Sequence, residues 1–198
     1  TTTSDEVSTY PNETALQIYE HGTSALKGKS YGEAIKRFEA IDAEYPDDPY
    51  ARSSEINLIY AYYMKEEYDS SIVAATRFIQ LYPEDRRVDY AYYIRALSLY
   101  NQHIGIFEKV FWLDLAARDL TDMTKAYQDF DYVATNFKAS VYAASSKRYA
   151  HYLRNMFARH ELQVGEYYCS RKAYTAASAR LDRIVQDFPD TSVMQEAV

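Results

Sequence analysis

Hydrophobic residues recur along the chain at the spacing of an α-helix in four separate segments. Each segment begins with a small residue, and the positions one, four and seven residues later are mostly apolar. Residues at these offsets share one face of an α-helix, so the pattern predicts four amphipathic helices with one buried stripe each. The first stripe consists of Ala34, Ile35, Phe38 and Ile41. The other three segments begin at Ser71, Ala126 and Ala177.

An aromatic residue lies eleven positions after each small residue and marks the predicted end of its helix. Proline follows this residue in Tyr45-Pro46, Tyr82-Pro83 and Phe188-Pro189, whereas lysine follows Phe137. Because proline disfavours helical backbone in the residue before it, each helix should stop there. These helices are predicted at about 31–45, 68–81, 121–137 and 173–187. Each pairs with a preceding helix, predicted at about 12–28, 49–65, 85–102 and 140–169.

Helix pairs that recur in this way resemble tetratricopeptide repeats. The signature spacing is clearest in the first copy, which carries Gly22, Tyr31, Ala34, Phe38 and Pro46. No single pair can bury its own apolar faces, so stacking is obligatory. We therefore predict an all-α fold, a solenoid of stacked antiparallel helix pairs. A flexible tail is expected at 1–11 and a single array at 12–198, with repeats at 12–46, 49–83, 85–138 and 140–189 and a truncated fifth repeat starting at 191–198.

Two segments depart from the regular repeat. Residues 103–120 interrupt the third pair with a partly apolar insert, which is expected either to fold back as a lid over a groove or to serve a function of its own. The helix predicted at 140–169 would be about 45 Å long at the usual rise per residue. A helix of that length would stiffen the array or project towards a partner.

Composition narrows the classes of function. The net charge of −7 argues against nucleic acid and against anionic membrane surfaces as main partners. No apolar run approaches the length of about 18 residues that a membrane-spanning helix needs. The single cysteine, Cys169, cannot form an internal disulfide, and we expect it to be a small core residue.

Candidate catalytic and metal sites are absent from the sequence patterns. There is no dinucleotide-binding glycine motif, P-loop, paired-histidine zinc motif or CxxC pair, and the histidines are scattered. We therefore predict a protein that is not an enzyme and that holds neither metal nor cofactor. The one enzymatic alternative is a hydrolase built in the insert from Asp114, Asp119 or His103.

Tyrosine is the chain's commonest aromatic residue, with 22 copies against 8 of phenylalanine, and it clusters on two first helices. Residues 60 and 62 lie about 200° apart on a helix, so at least one tyrosine near them should face outwards. A similar cluster of tyrosines, followed by an arginine, recurs in the first helix of the next pair. We predict a peptide-binding groove formed by Tyr60, Tyr63, Tyr92 and Arg95, in which the arginine takes a carboxylate. The alternative is that most of these tyrosines pack between repeats.

Longer motifs resemble one family of repeat proteins. The chain reads A-I-x-x-F-E-A-I-D-x-x-Y-P at 34–46, L-I-Y-A-Y-Y at 58–63, R-F-I-x-L-x-P at 77–83 and D-Y-A-Y-Y-I-R-A-L at 89–97. It continues with E-L-x-V-x-E-Y-Y at 161–168, A-Y-x-A at 173–176 and F-P-D-T at 188–191. These motifs, in this order, are similar to the BamD family, the lipoproteins of the outer-membrane β-barrel assembly machinery. The match is poorest at 103–117.

The resemblance implies a location and a set of partners. Family members are lipid-anchored at the periplasmic face of the outer membrane of Gram-negative bacteria, through an N-terminal cysteine that this chain does not contain. Their C-terminal repeats bind a POTRA domain of BamA, and Arg180 is the residue here expected to contact it. Their N-terminal repeats are expected to bind the C-terminal targeting strand of unfolded β-barrel proteins. Further implied partners are BamC and BamE, where present. The alternative is another periplasmic tetratricopeptide adaptor, such as a pilotin or a cell-division factor.

Overall fold

The computed structural model describes residues 7–110 and 117–194. In this part of the chain the secondary structure is helical and contains no strand, which confirms the predicted all-α class. The described helices are α1 (Ala15–Lys27), α2 (Tyr31–Glu44), α3 (Ala51–Met64), α4 (Tyr68–Leu81), α5 (Val88–Lys109), α6 (Ala117–Asn136), α7 (Ala143–Ser170) and α8 (Tyr174–Asp187). Consecutive helices pack as antiparallel tetratricopeptide-like pairs. The chain forms two compact units, residues 1–98 and 99–198, whose boundary falls within α5.

A glycine in the first helix of a pair permits close contact with a bulky residue of the second. A Cβ atom added to Gly22 would lie 2.7 Å from Cε1 of Phe38, and one added to Gly165 would lie 3.0 Å from Cδ2 of Leu181. Both glycines precede their partner by sixteen residues. The same spacing separates Ile59 from Ala75 in the second pair, where the bulky and small residues are exchanged and both are fully buried. In these three pairs, one small and one bulky residue thus occupy corresponding positions of the two helices, as dense packing requires.

The turns inside three helix pairs share one backbone conformation. Lys29, Glu66 and Lys172 each adopt a left-handed conformation, with φ near 60°. In each turn the amide that follows donates to a carbonyl five residues earlier, as Ser30 does to Ala25 at 2.8 Å. This is the hydrogen bonding of a Schellman motif, which satisfies the last carbonyls of the helix and reverses the chain. The next residue opens the second helix, and in all three turns it is a tyrosine: Tyr31, Tyr68 and Tyr174.

The turns between pairs also repeat, and they explain the aromatic-proline motif. The amide of Asp48 donates to the carbonyl of Tyr45 at 3.1 Å, and that of Asp85 donates to Tyr82 at 3.0 Å. The carboxylate of each aspartate then accepts the amide two residues ahead, at 2.9 Å in both turns. Such local bonds stabilise the start of the next helix. Ser140 plays the same part after Phe137, where the proline is missing.

Each unit has its own buried core. In the first unit, Ile18 of α1, Phe38 of α2 and Leu58 of α3 belong to one hydrophobic cluster. A buried hydroxyl chain accompanies it, in which Ser98 lies 3.2 Å from Ser71, whose hydroxyl donates to the carbonyl of Ile59 at 3.0 Å. In the second unit the corresponding cluster comprises Ala158, Leu162, Ile184 and Val193.

The structure differs from the sequence predictions at the insert and at the cysteine. Residues 103–109 continue α5 and residues 117–120 open α6, so the described parts of the insert extend two helices. Its apolar centre, 111–116, lies outside the described residues. The predicted burial of Cys169 is wrong, since this residue is exposed. It follows Gly165, Val164 and Leu162 on α7 but falls in the last turn, beyond the buried part of that helix.

The seam at Gly22 yields a stability prediction. Gly22→Ala should lower the free energy of unfolding by about 1–3 kcal/mol, because the added methyl group meets the fully buried ring of Phe38. Gly105→Ala is the matched control, since nothing among the described residues lies within 4 Å of a Cβ at that helical position. It should instead stabilise α5 by about 0.5–1 kcal/mol. Urea denaturation of the two variants measures both effects, and equal stability of the two would contradict the proposed contact.

Candidate functional site

The predicted groove tyrosines of α3 lie against tyrosines that open neighbouring helices. Tyr60 is 36% exposed, and its ring centroid lies 6.3 Å from that of Tyr31 in an edge-on arrangement. Tyr63 is partly buried, with its ring centroid 5.9 Å from that of Tyr68. Burial raises the pKa of the Tyr60 hydroxyl, so this group stays neutral and able to donate at physiological pH. Tyr60 is therefore the predicted groove tyrosine of α3 with the greater accessible surface.

The structure brings Tyr92 and Arg95 together on α5, but it buries the arginine. The guanidinium carbon of Arg95 lies 5.3 Å from the ring centroid of Tyr92, within the range of a cation–π contact. Its Nη1 donates to the hydroxyl of Thr76 at 3.2 Å. Only 6% of Arg95 is exposed. A ligand carboxylate could therefore reach only the edge of this guanidinium.

A cavity in the first unit lies over α2, α3 and α4. Its volume is about 440 Å³, and its lining includes Leu58, Tyr62, Val73 and Arg77. The hydroxyl of Tyr62 donates to the carboxylate of Glu39, a contact that fixes the tyrosine at the edge of this cavity. Tyr62 therefore packs between helix pairs, as the alternative interpretation of the tyrosine clusters expects of most of them.

Carboxylates compete for one arginine beside this cavity. Arg77 donates to both carboxylate oxygens of Asp42, at 2.6 and 3.1 Å, while its Nη2 lies 3.6 Å from Glu55. The buried Glu55 has one oxygen without a hydrogen-bond partner in the described part of the chain. Burial raises the pKa of Glu55 to about 7, and nearby Asp42 adds to the rise while Arg77 opposes it. Of the two carboxyl groups beside Arg77, Glu55 is thus the one with the raised pKa.

Arg180, the predicted POTRA contact, is part of an ion-pair cluster within its own unit. Its Nη1 lies 3.1 Å from Oε2 of Glu161, and Nη1 of Arg183 lies 3.5 Å from Oε1 of the same carboxylate. Glu161 is largely buried, whereas Arg180 is 29% exposed at its side chain and Arg183 is 53% exposed. Two guanidinium groups therefore share one carboxylate, which leaves this cluster of three side chains with one excess positive charge.

Sequence reasoning missed an aromatic cavity in the second unit. This cavity, the Tyr100 pocket, has a volume of about 300 Å³ and is lined by Tyr100 of α5 and by Ser145, Arg148, Tyr149 and Tyr152 of α7. The α7 residues recur at the i, i+3, i+4 and i+7 spacing of one helix face, so the sequence alone could have indicated that they lie side by side. What the sequence did not reveal was that Tyr100, in the continuation of α5, would face them.

The residues of the hydrolase alternative lie partly together but do not form an open active site. Nδ1 of His103 is 3.1 Å from Asp119, and its Nε2 is 2.9 Å from Asp122. His103 is only 7% exposed, and its ring is enclosed between the two carboxylates. Asp114 lies outside the described residues. Within the described ranges, no cluster of histidine, cysteine and carboxylate residues could hold a metal ion, and no helix has the length and apolar character to cross a membrane.

The shifted pKa of Glu55 yields a prediction for stability against pH. A carboxyl with a pKa near 7 in the folded chain and 4.5 in the unfolded chain stabilises the fold below pH 4.5, and this contribution is lost as the pH rises to about 7. Glu55→Gln should therefore gain stability relative to the wild type across that interval. Glu84→Gln, at an exposed position, is the control and should show a constant difference. Thermal unfolding at a series of pH values tests this, and parallel curves for Glu55→Gln and the wild type would refute it.

Comparisons with known proteins place the chain in a family. The family model described as YfiO, outer membrane lipoprotein, matches residues 11–198. A relative from Xylella fastidiosa strain 9a5c, named outer membrane protein assembly factor BamD, is 34% identical over 181 residues, which cover 91% of this chain and 62% of the relative. Proteins of the same name from Pasteurella multocida and Vibrio cholerae are 32% and 28% identical and are covered to 70% and 78% of their lengths.

The chain thus spans less than two thirds of the length of the Xylella relative, although nearly all of its own length is matched. The match includes the segments whose motifs carried the resemblance, from the first helix pair to the turn after α8. The chain therefore belongs to the YfiO family of outer-membrane lipoproteins, and its resemblance to the BamD proteins is confirmed.

Proposed function

We propose that the chain is a non-enzymatic scaffold of the machinery that assembles β-barrel proteins in the outer membrane. The observation that carries the proposal is the family match along nearly the whole chain, to relatives named as outer membrane protein assembly factors. The family also confirms the predicted association with the outer membrane of a Gram-negative bacterium. It favours this role over that of a pilotin or a cell-division factor. Because the matching family is described as an outer membrane lipoprotein, a lipid is proposed as the membrane anchor.

The first unit is proposed to bind the C-terminal targeting strand of unfolded β-barrel proteins. Support comes from Tyr60, whose partly exposed ring packs edge-on against Tyr31 and can offer a face to an aromatic side chain. Tyr63 and Tyr92 extend the aromatic surface on α3 and α5. Because Arg95 is buried against Thr76, its part in the proposed groove is to hold Tyr92 through the cation–π contact. BamC and BamE, where present, are proposed as further partners.

The second unit is proposed to bind a POTRA domain of BamA through Arg180. Glu161 fixes the guanidinium from one side, and the remaining donors of Arg180 stay available to an acidic residue of the partner. The ion pair with Glu161 lowers the entropy that Arg180 would otherwise lose on binding. Arg183, which touches the same carboxylate, keeps the site positive after Glu161 has been neutralised.

Substitution of Arg180 tests the POTRA contact. Arg180→Gln should weaken binding of a purified BamA POTRA domain by about tenfold, because a charge-assisted contact is lost at the interface. Arg171→Gln makes the same change of charge at an exposed position in the turn before α8 and should leave binding unchanged. Calorimetric titration, with circular dichroism to verify folding, measures both variants. Equal affinities would remove Arg180 from the interface.

Substitution of Tyr60 tests the groove in the first unit. Tyr60→Ala should weaken binding of a peptide from the C-terminus of an outer-membrane β-barrel protein by about fivefold, the effect of losing an aromatic contact of about 1 kcal/mol. Tyr132→Ala, an exposed tyrosine of α6, is the matched control. Fluorescence anisotropy of a labelled peptide provides the measurement. If both variants bind as the wild type does, the groove does not include α3.

A further inference from the structure

The cavity over α2, α3 and α4, here named the acidic cavity, has apolar walls. Leu58 and Tyr62 of α3 line it together with Val73 and Ala74 of α4. Leu58 is buried, whereas Val73 is exposed, so the apolar lining extends from the interior of the unit to its surface. A volume of about 440 Å³ has room for one long side chain and part of the backbone that carries it.

An exposed aliphatic face of α4 adjoins this cavity. Val73 is 67% exposed and Leu81 is 52% exposed, and they lie four residues before and four residues after Arg77. Residues at this spacing share one face of a helix, so two aliphatic side chains flank the arginine at the surface of α4. Exposed apolar groups that border a polar cavity are typical of surfaces that bind another protein.

The charged side chains that line the acidic cavity carry a surplus of negative charge. Three of them are the carboxylates of Glu39, Asp42 and Asp69, and one is the guanidinium of Arg77. Three negative charges and one positive charge give a formal sum of −2. Asp42 already holds Arg77 through two hydrogen bonds, at 2.6 and 3.1 Å. The cavity therefore has carboxylate charge that its own arginine does not balance.

The pKa values of two neighbouring groups reflect burial and this negative charge. The hydroxyl of Tyr62 donates to Glu39, and burial together with Glu39 raises the pKa of this tyrosine. Glu55 is more than nine-tenths buried, and one of its oxygens has no hydrogen-bond partner among the described residues. Burial and the nearby Asp42 raise the pKa of Glu55. An added positive charge would therefore be favourable beside these groups.

A positively charged group on an apolar stem fits these walls. The methylene chain of lysine or arginine packs on apolar surface while its charged end reaches polar groups. In this cavity, Leu58, Tyr62 and Ala74 would contact the stem, and Glu39 and Asp69 would receive the charge. A metal ion does not fit, since it needs several converging ligands and no such cluster occurs in the part of the chain that the structure describes.

We propose that the acidic cavity binds a lysine or arginine side chain that a partner protein presents next to an aliphatic residue. The cation pairs with the carboxylates of Glu39 and Asp69, and the aliphatic residue packs on Val73. Charge complementarity selects a basic partner, because the surplus carboxylates repel an acidic one. The aliphatic face from Val73 to Leu81 favours a segment of a protein over a small organic cation.

This surface is separate from the two sites of the proposed function and does not depend on them. Tyr60 and Tyr62 lie about 200° apart on α3, so the proposed Tyr60 groove and the acidic cavity are on opposite sides of that helix. Arg180 belongs to the other unit. A ligand could therefore occupy the acidic cavity while the Tyr60 groove is filled.

The test uses the whole chain and three short peptides that are acetylated and amidated, so that only their side chains carry charge. The first has lysine between two leucines, the second has glutamine between two leucines, and the third has lysine between two serines. Calorimetric titration and the NMR signals of the methyl groups of Val73 and Ala74 report binding. We expect the first peptide to bind about tenfold more tightly than either of the others, since each of those lacks one of the two recognised groups.

Variants then assign the binding to the cavity. Glu39→Gln removes a charge yet keeps an oxygen that can accept the Tyr62 hydroxyl, and it should lower the affinity for the first peptide about fivefold. Glu20→Gln makes the same change of charge at an exposed position of α1 and should have no effect. Val73→Ser should weaken both leucine peptides, while Val185→Ser, at an exposed position of α8, should not.

Three results would overturn the proposal. The first is a lack of binding by the lysine–leucine peptide, or wild-type affinity for it in both Glu39→Gln and Val73→Ser. The second is equally tight binding of spermidine, because the cavity would then recognise a small cation without an aliphatic neighbour. The third is weaker binding in Tyr60→Ala but not in Glu39→Gln, which would put the peptide in the Tyr60 groove and leave the proposed function standing.

Discussion

The close contact between the two helices of a pair is the constraint on which the rest of each unit depends. At Gly22 and Gly165 the absence of a side chain lets Phe38 and Leu181 reach the opposing backbone, and in the second pair the bulky Ile59 lies on the first helix and the small Ala75 on the second. Dense packing at these seams excludes voids, so the helices have little freedom to slide. The turns inside the pairs adapt to this geometry, and three of them place a non-glycine residue in the left-handed conformation. A tyrosine follows each of these turns and is the first residue of the second helix of its pair.

Charge has a different role in the two units. In the first unit, Asp42 and Glu55 share Arg77, and burial together with the neighbouring Asp42 raises the pKa of Glu55 to about 7. In the second unit the ratio is reversed, because Arg180 and Arg183 share Glu161. A buried charge is tolerated only when it is paired, so each cluster must place its surplus charge at the surface or neutralise it. The surplus arginine supports the proposed binding of an acidic partner by α8.

The sequence was sufficient for the helices and insufficient for the contacts between them. Proline after Tyr45, Tyr82 and Phe188 predicted where α2, α4 and α8 end, since its effect on the preceding residue is local. The burial of Arg95, the pairing of Arg180 with Glu161 and the meeting of Tyr100 with α7 depend on how distant turns of two helices face each other. Periodicity identifies the face of a helix, but it does not identify the neighbour of each residue on that face.

The hydroxyl chain from Ser98 through Ser71 to the carbonyl of Ile59 has a consequence for helix register. The hydroxyl of Ser98 donates to the carbonyl of Ile94 within its own helix at 2.7 Å and lies 3.2 Å from the hydroxyl of Ser71, so each hydroxyl has a defined partner in a nonpolar interior. A slide of α5 by one turn past α4 would keep most apolar contacts, since they are similar along the stripe. It would, however, separate Ser98 from Ser71 and lose their buried contact, at a cost of about 0.5–1.5 kcal/mol. The contact between the two serines thus favours one register of α5 against α4 over other registers that hydrophobic burial alone would hardly distinguish.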